Sequence, residues 1–588
     1  MTKRIHQYAL PLSLIAALAA LAAAPFLIPE NPDSAIFRSG TLGTLLILAC
    51  SFPVRQAYEK VSLRTLSVSM LLGLFFAAAL SLGSELFIYN GLLPGMGSML
   101  RRVAVPFMAA PLFGGLCARM MMAPPIAAKR PLRIPLAAYM AILLVCWLPV
   151  LLAYWPGMLN YDFVGEYAQH TSGSYSSIHP LLHSAVMNGI IAIGTAIHSE
   201  TLGLLLMSIL QMALFAAALA YACVFAQKRG ASPWLLAAMT ALFALHPVFS
   251  VMSISMTKDT LFAAGALVLS LETYALIESP AAFLRSRLRC AGYAVLTVCT
   301  ALMRNNGVFA LALLFPAALA VLRGFRRQAL LLFGASACAA LITLGGLHLA
   351  LKPASLPSFQ LYSLPAQQLV RAYNSGKLDE AEKAEIAEWY VSEEGLRVHP
   401  HLADPAKGYL DKPRLEEEGG RFLAIWKRHA GACAMEYTEA LLMLNVGSWY
   451  PDDLSHSTIY PDVSWNDKGY LQTQEYDMQA EGFETRCFLP KVKALFERIC
   501  RRNQYQKYPL VSILFCTATP FWVLLFAASV MIARRQARYL PAALGALGLW
   551  LSYLFGPCTL PRYTLPLFCL APVLLALALR MPEKPISE

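Results

Sequence analysis

Residues 133–154 read RIPLAAYMAILLVCWLPVLLAY and run directly into residues 155–180, WPGMLNYDFVGEYAQHTSGSYSSIHP. The first stretch is long and apolar enough to cross a hydrocarbon layer, which takes about 20 helical residues. The second gathers Asp162, Glu166, His170 and His179 against that apolar boundary. Ionisable groups are costly there unless they face water, a cavity or a ligand. The junction therefore predicts a membrane span that delivers a chemically active loop.

The rest of the chain repeats the first half of this pattern. It is 57% hydrophobic and 14% charged over 588 residues, with a mean hydropathy of +0.54. Soluble proteins carry roughly 25% charged residues, so the composition indicates an all-α polytopic membrane protein. Long apolar runs without alternation exclude a barrel. About 14 transmembrane helices are expected, near 8–28, 40–54, 66–88, 103–121, 133–154, 203–226, 233–251, 259–277, 290–304, 306–322, 328–350, 508–532, 539–556 and 563–581. Stretch 181–198 is short and broken by Ser, Asn, Gly and His, which suits a helix lying along the interface.

The net charge of +12 is unevenly placed and is no nucleic-acid signal. Residues 351–507 hold 19 basic and 23 acidic groups, so the surplus lies in short connections between apolar runs. Six of these, from Arg55–Arg64 to Arg534–Arg538, fall on one side and set it as cytoplasmic, with both termini. Arg101 and Arg102 are the exception. Four regions follow: a four-helix extension (1–132), a membrane core (133–350) with its first outer loop at 155–202, an extracytoplasmic, mostly helical soluble domain (351–507), and C-terminal spans (508–588). Residues 379–389 and 414–428 read as helices of that domain, and 449–465 as irregular. Cysteines mostly sit in apolar runs, where they act as small hydrophobes; Cys487 and Cys500 are one candidate disulfide.

Polar intrusions recur at the predicted outer boundaries. Asp162 and Glu166 lie one helical turn apart, aiming both carboxylates the same way. His179 and His183 follow, also four apart, then His246, Lys258–Asp259, Arg304–Asn305–Asn306 and Pro561–Arg562–Tyr563. Each has a plain structural use: Asp162 as a cap, His179-Pro180 as a helix entry, Lys258–Asp259 as a local pair, and the arginines as anchors to headgroups. No metal ligand set is assigned, and a divalent metal stays an open alternative as cofactor.

The pattern PG…D…HP…KD…RNNG…PRY, with RYTLP opening the last helix and LPAQQLVRAY at 364–373, resembles the GT-C superfamily of polyprenyl-phosphate-sugar glycosyltransferases. Within it, it is similar to a group of bacterial polytopic membrane proteins. The resemblance spans about residues 133–581. It implies a GT-C-like core in the bacterial cytoplasmic membrane, acting on the outer face. A sugar would pass from a polyprenyl-phosphate donor to an envelope glycan, lipid or protein acceptor. By that resemblance Asp162 is the base, Asp259 shapes the acceptor or metal site, and Arg562 grips the lipid phosphate. Lys258, Arg304, His179 and Tyr563 are further substrate contacts, and Glu166 is a further catalytic candidate whose role the resemblance leaves open. The protein-mannosyl and lipid A branches carry adjacent Asp-Glu, whereas Glu166 here follows Asp162 by four, which argues against their substrates. A transporter or flippase of a lipid-linked or envelope glycan is the alternative. An inactive glycan-binding scaffold is a third reading.

Overall fold

The computed structural model describes residues 2–27, 40–124, 133–159, 161–355, 358–452, 482–500 and 509–580. Within them the regular structure is helical, joined by isolated bridges. Among the described residues, eight helices are long and apolar enough to cross a membrane, and nine if the pair Pro233–Leu245 and Pro247–Ile254, bent by 48°, forms one broken span. The chain is thus a polytopic, mostly helical membrane protein. Several expected spans are shorter helices: Arg287–Leu302 has 16 residues and Pro541–Tyr553 has 13. Gly307–Val321 and Thr519–Ala533 are likewise short and apolar, as is Leu181–Thr195, the stretch expected to lie along the interface.

The first helices, Ala9–Leu27, Gly40–Tyr58, Leu63–Tyr89 and Met96–Met121, pack on one another. Ala17, Ala57, Tyr58, Leu112 and Ala118 form a small core of their own. Small side chains permit this close approach where lipid supplies little hydrophobic drive between helices. Arg101 and Arg102, the exception to the charge rule, are spent internally. Arg102 donates to both oxygens of Glu85, at 3.1 and 2.7 Å, and Arg101 lies 3.7 Å from the same carboxylate.

At the centre of the main core runs Lys258–Glu278. Its N-cap Thr257 accepts from the Asp259 amide, and no charge follows until Glu272. Nearly every side is buried, as expected of a helix apolar all round. It packs against Glu200–Lys228, Arg287–Leu302 and Pro561–Leu579.

Beyond residue 351 the chain leaves this core and builds a second one. Ala366, Leu369, Val370, Ile386, Trp389, Phe422 and Ile425 are buried together. Helix Glu380–Ala387 begins with a capping box between Asp379 and Glu382. Lys412–His429 buries Leu415, Gly419, Phe422, Ile425 and His429 at helical spacing and turns its charges outward. Burying Phe422 and Ile425 contributes roughly 1.5–3 kcal/mol each. Most of the expected irregular stretch 449–465 lies outside the described residues, as does the Cys500 side chain, so the Cys487–Cys500 pairing does too.

Candidate functional site

A short parallel bridge sets the site. The Met158 amide donates to the Ile254 carbonyl at 2.9 Å, and the Met256 amide donates back to Met158 at 2.9 Å. From Glu200–Lys228, Gln211 Nε2 donates to the carbonyls of Met252, Ser253 and Ser255 and fixes the far strand. Four residues after Met158 comes Asp162, in the first turn of helix Tyr161–Ser172. Three after Ser255 comes Lys258. The bridge therefore registers the two charges, and Lys258 Nζ donates to Asp162 Oδ2 at 3.0 Å.

The other members arrive at helix ends. Arg304 follows Arg287–Leu302 in a turn closed by Gly307, whose amide donates to the Arg304 carbonyl at 2.9 Å. A Cβ on Gly307 would strike the Thr300 carbonyl oxygen at 1.7 Å, so only glycine closes the RNNG turn. Arg562 stands in the first turn of Pro561–Leu579.

Together these residues form a chain of alternating charge. Asp162 Oδ2 accepts from Lys258 and, at 2.7 Å, from Arg562 Nη1. Arg562 Nε lies 3.8 Å from Asp259 Oδ2. Asp259 in turn accepts from Arg304 and from Thr257 Oγ1. The sequence is Lys258, Asp162, Arg562, Asp259, Arg304: three cations, two carboxylates and one positive charge in surplus. Asp162, Asp259, Arg304 and Arg562 are buried, while Lys258 reaches the surface. Tyr563 and Tyr553 stand against the Arg304 guanidinium, with ring centres at 4.4 and 5.6 Å.

The family described as a family of unknown function, DUF6020, matches residues 167–588. The chain belongs to the DUF6020 family. Curated proteins and solved structures give no match. The DUF6020 match takes in His179, Lys258, Asp259, Arg304, Arg562 and Tyr563 and begins just past Glu166.

Electrostatics follow from the geometry. Burial pushes the Asp162 carboxyl up, but Arg562, Lys258 and His179 outweigh it and hold it well below the usual carboxylate range. Burial pushes Glu166 up as well, and His183, then Lys258 and His179, bring it below its ordinary value. Desolvating several ions costs several kcal/mol each even after relaxation. Such clusters of perturbed groups gather at functional sites.

Compared with the sequence reading of this DUF6020 chain, all eight candidate residues come to one end of the bundle. Asp162 and Glu166 do lie one turn apart, yet they serve different partners, because helix Leu181–Thr195 packs on the Glu166 side. His183 Nδ1 and Ser184 Oγ both donate to Glu166 Oε2, at 2.8 and 2.7 Å. His170 turns outward and bonds the Tyr175 hydroxyl, and His246 bonds the Leu514 carbonyl at the helix break. Tyr553 and Ser184 were missed, since nothing in their local sequence distinguishes them from packing residues. Among the described residues, no three His, Cys, Asp or Glu side chains are grouped to hold a metal ion. LPAQQLVRAY forms part of helix Ser363–Tyr373, but its polar residues stay within the domain or reach the first helices. Gln367 donates to the His399 carbonyl, Gln368 to that of Tyr437, and Arg371 to Glu439.

Proposed function

We propose that this protein is a membrane glycosyltransferase that moves a sugar from a polyprenyl-phosphate donor to an envelope glycan, lipid or protein. In this reading it is an inverting enzyme of the bacterial cytoplasmic membrane, with its site on the outer face and both termini inside. The observation that supports it is the alternating chain of buried charges at the helix ends. A surplus cation beside a carboxylate suits a reaction in which a phosphate leaves and a hydroxyl loses its proton.

The resting geometry adds a condition. Asp162 is a weak base while Lys258 and Arg562 hold it. A donor phosphate competes for both cations, and arginine's planar fork favours it. As they turn to the phosphate, Asp162 regains basicity and faces the acceptor hydroxyl. Arg304, steadied by Tyr563, keeps Asp259 in place. Donor binding thereby switches on the base, which protects the donor from idle hydrolysis.

The test is transfer in proteoliposomes, with radiolabelled polyprenyl-phosphate sugars and envelope extract. Wild type transfers label, and Asp162→Asn loses about 10²–10⁴-fold of the rate. Equal rates would remove Asp162 from the chemistry. One feature favours the transporter or flippase reading: the broken span at His246, a device that transporters use to line their pathways. Glycan movement across the vesicle without transfer would establish it instead.

A further inference from the structure

Behind Asp162 lies a polar nest that the reaction above leaves idle. Glu166 and His183 are fully buried. One carboxylate oxygen, Oε2, accepts from both His183 and Ser184, and Asn188 Nδ2 donates to the Glu166 carbonyl at 3.2 Å. The other oxygen, Oε1, has no hydrogen-bond partner. It faces His179 Nδ1 at 3.7 Å, which also lacks one. Leaving a buried acceptor unsatisfied costs about 1–3 kcal/mol, and more when it is charged. A proton on His179 Nδ1 would close that gap.

The opposite edge of the ring is placed as well. A Cβ on Gly165 would come within 3.0 Å of His179 Nε2, so the imidazole lies directly on helix Tyr161–Ser172. Gly165 and Asp162 are three apart and share a helix face. Unlike Glu166, His179 keeps part of its side chain, 12%, in contact with solvent. Burial, then Lys258, hold its pKa below the ordinary imidazole value; Glu166 and Asp162 raise it, and His183 lowers it further. Burial and Lys258 thus disfavour the charged ring while the two carboxylates favour it, a balance that suits a group through which a proton passes.

We infer that His179, backed by Glu166, is the proton relay of the Asp162 site, with His183 and Ser184 positioning the carboxylate. The inference rests on the transferase reading for its chemistry. The acceptor oxygen forms a bond to the anomeric carbon as the bond from that carbon to the phosphate oxygen breaks. The electron pair leaves with the phosphate. The hydroxyl proton passes to Asp162 and on to His179, whose imidazolium closes onto Glu166. His179, which keeps 12% of its side chain in contact with solvent, then releases the proton to water from Nε2, the ring nitrogen away from Glu166, and Asp162 returns as a carboxylate to Lys258 and Arg562.

Two measurements on the full-length protein test this. The first follows carbethoxylation of His179 by mass spectrometry from pH 4.5 to 8, which reads its titration without any substrate. Glu166→Gln shifts the midpoint to lower pH, because the charge that stabilises the imidazolium is gone; an unmoved midpoint overturns the dyad. Should that variant fail to fold, Glu166→Asp replaces it: its withdrawn carboxylate is expected to lower the midpoint relative to wild type, and an unmoved midpoint overturns the dyad. The second is the pH profile of transfer. His179→Gln lowers kcat about tenfold to a hundredfold, leaves the donor KM within twofold, and loses the acid limb. A wild-type profile in His179→Gln overturns the relay. Absence of transfer in the wild type would sink the transferase reading, while the titration still decides whether Glu166 and His179 share a proton.

Discussion

Arg562 Nη1 sits 2.7 Å from Asp162 Oδ2, although 400 residues of chain separate them. Few contacts could tie the last long helix to the first polar loop more directly. Both groups are buried, so the pair is held by mutual need: either ion alone would be stranded in a poorly solvated place.

Breaking the pair should therefore cost more than removing it. Arg562→Ala is expected to destabilise the protein by about 3–5 kcal/mol. The double variant Asp162→Asn/Arg562→Gln should cost less than the sum of its single changes, with a coupling of about 0.5–3 kcal/mol. Denaturation in detergent micelles measures the cycle. Additive losses would mean that the two side chains do not meet in solution.

The depressed carboxyl of Asp162 also makes stability depend on pH. Its folded value lies below its unfolded one, so the unfolded chain binds more protons and stability rises with pH. The contribution is complete above the unfolded value, near 3.9, and disappears as pH falls below it. Melting temperatures recorded downward from pH 6 should fall more steeply below about pH 4 for wild type than for Asp162→Asn. Parallel curves would show that Asp162 is not held ionised by its neighbours.

A second ion pair joins the first helices to the domain after residue 351. Glu439 accepts from Arg371 at 2.8 Å and from the Leu92 amide at 2.7 Å, and Arg371 also reaches the Asn90 carbonyl. Arg371→Ala leaves Glu439 with the amide alone, and Glu439→Gln leaves Arg371 without its charge. Each should cost about 1–3 kcal/mol and expose the connection near residue 352 to protease. Unchanged digestion in both variants would argue that the joint carries no load.

Helices Leu63–Tyr89 and Met96–Met121 touch backbone to backbone where Gly73 faces Gly114. A Cβ on Gly73 would meet the Gly114 nitrogen at 2.4 Å and the Ala110 carbonyl at 2.9 Å. Neither neighbour is a flexible side chain, so Gly73→Ala must push the helices apart. A loss of about 1–3 kcal/mol is expected, read as a lower melting temperature. Gly43→Ala has open space and serves as the control.

Much of the helical architecture is legible locally. Runs such as 203–226 and 259–277 have no other way to satisfy their backbones in lipid, so they become helices whatever surrounds them. The capping box at Asp379 and the Lys412–His429 helix could be read the same way, since their signals span only a few residues. The candidate site was half legible. Charges interrupting apolar runs flagged Asp162, Lys258, Asp259, Arg304 and Arg562, because lipid makes such residues conspicuous. Their partners were hidden. A negative charge at 162 says nothing of an arginine at 562, and Glu166 reads as a companion of Asp162 until Leu181–Thr195 is packed beside it. Arg101 and Arg102 looked like misplaced topology signals only because Glu85 lies more than a dozen residues away.

Local chemistry along the chain is enough to make this a polytopic helical membrane protein with ionisable residues gathered at helix ends. Backbone hydrogen bonding in lipid and the cost of buried charge act residue by residue, so both are written locally. Packing in three dimensions is what makes five of those charges one alternating chain and gives Glu166 to His183 and Ser184. Coulomb attraction depends on distance in space, and distance in space is set by which helices pack together.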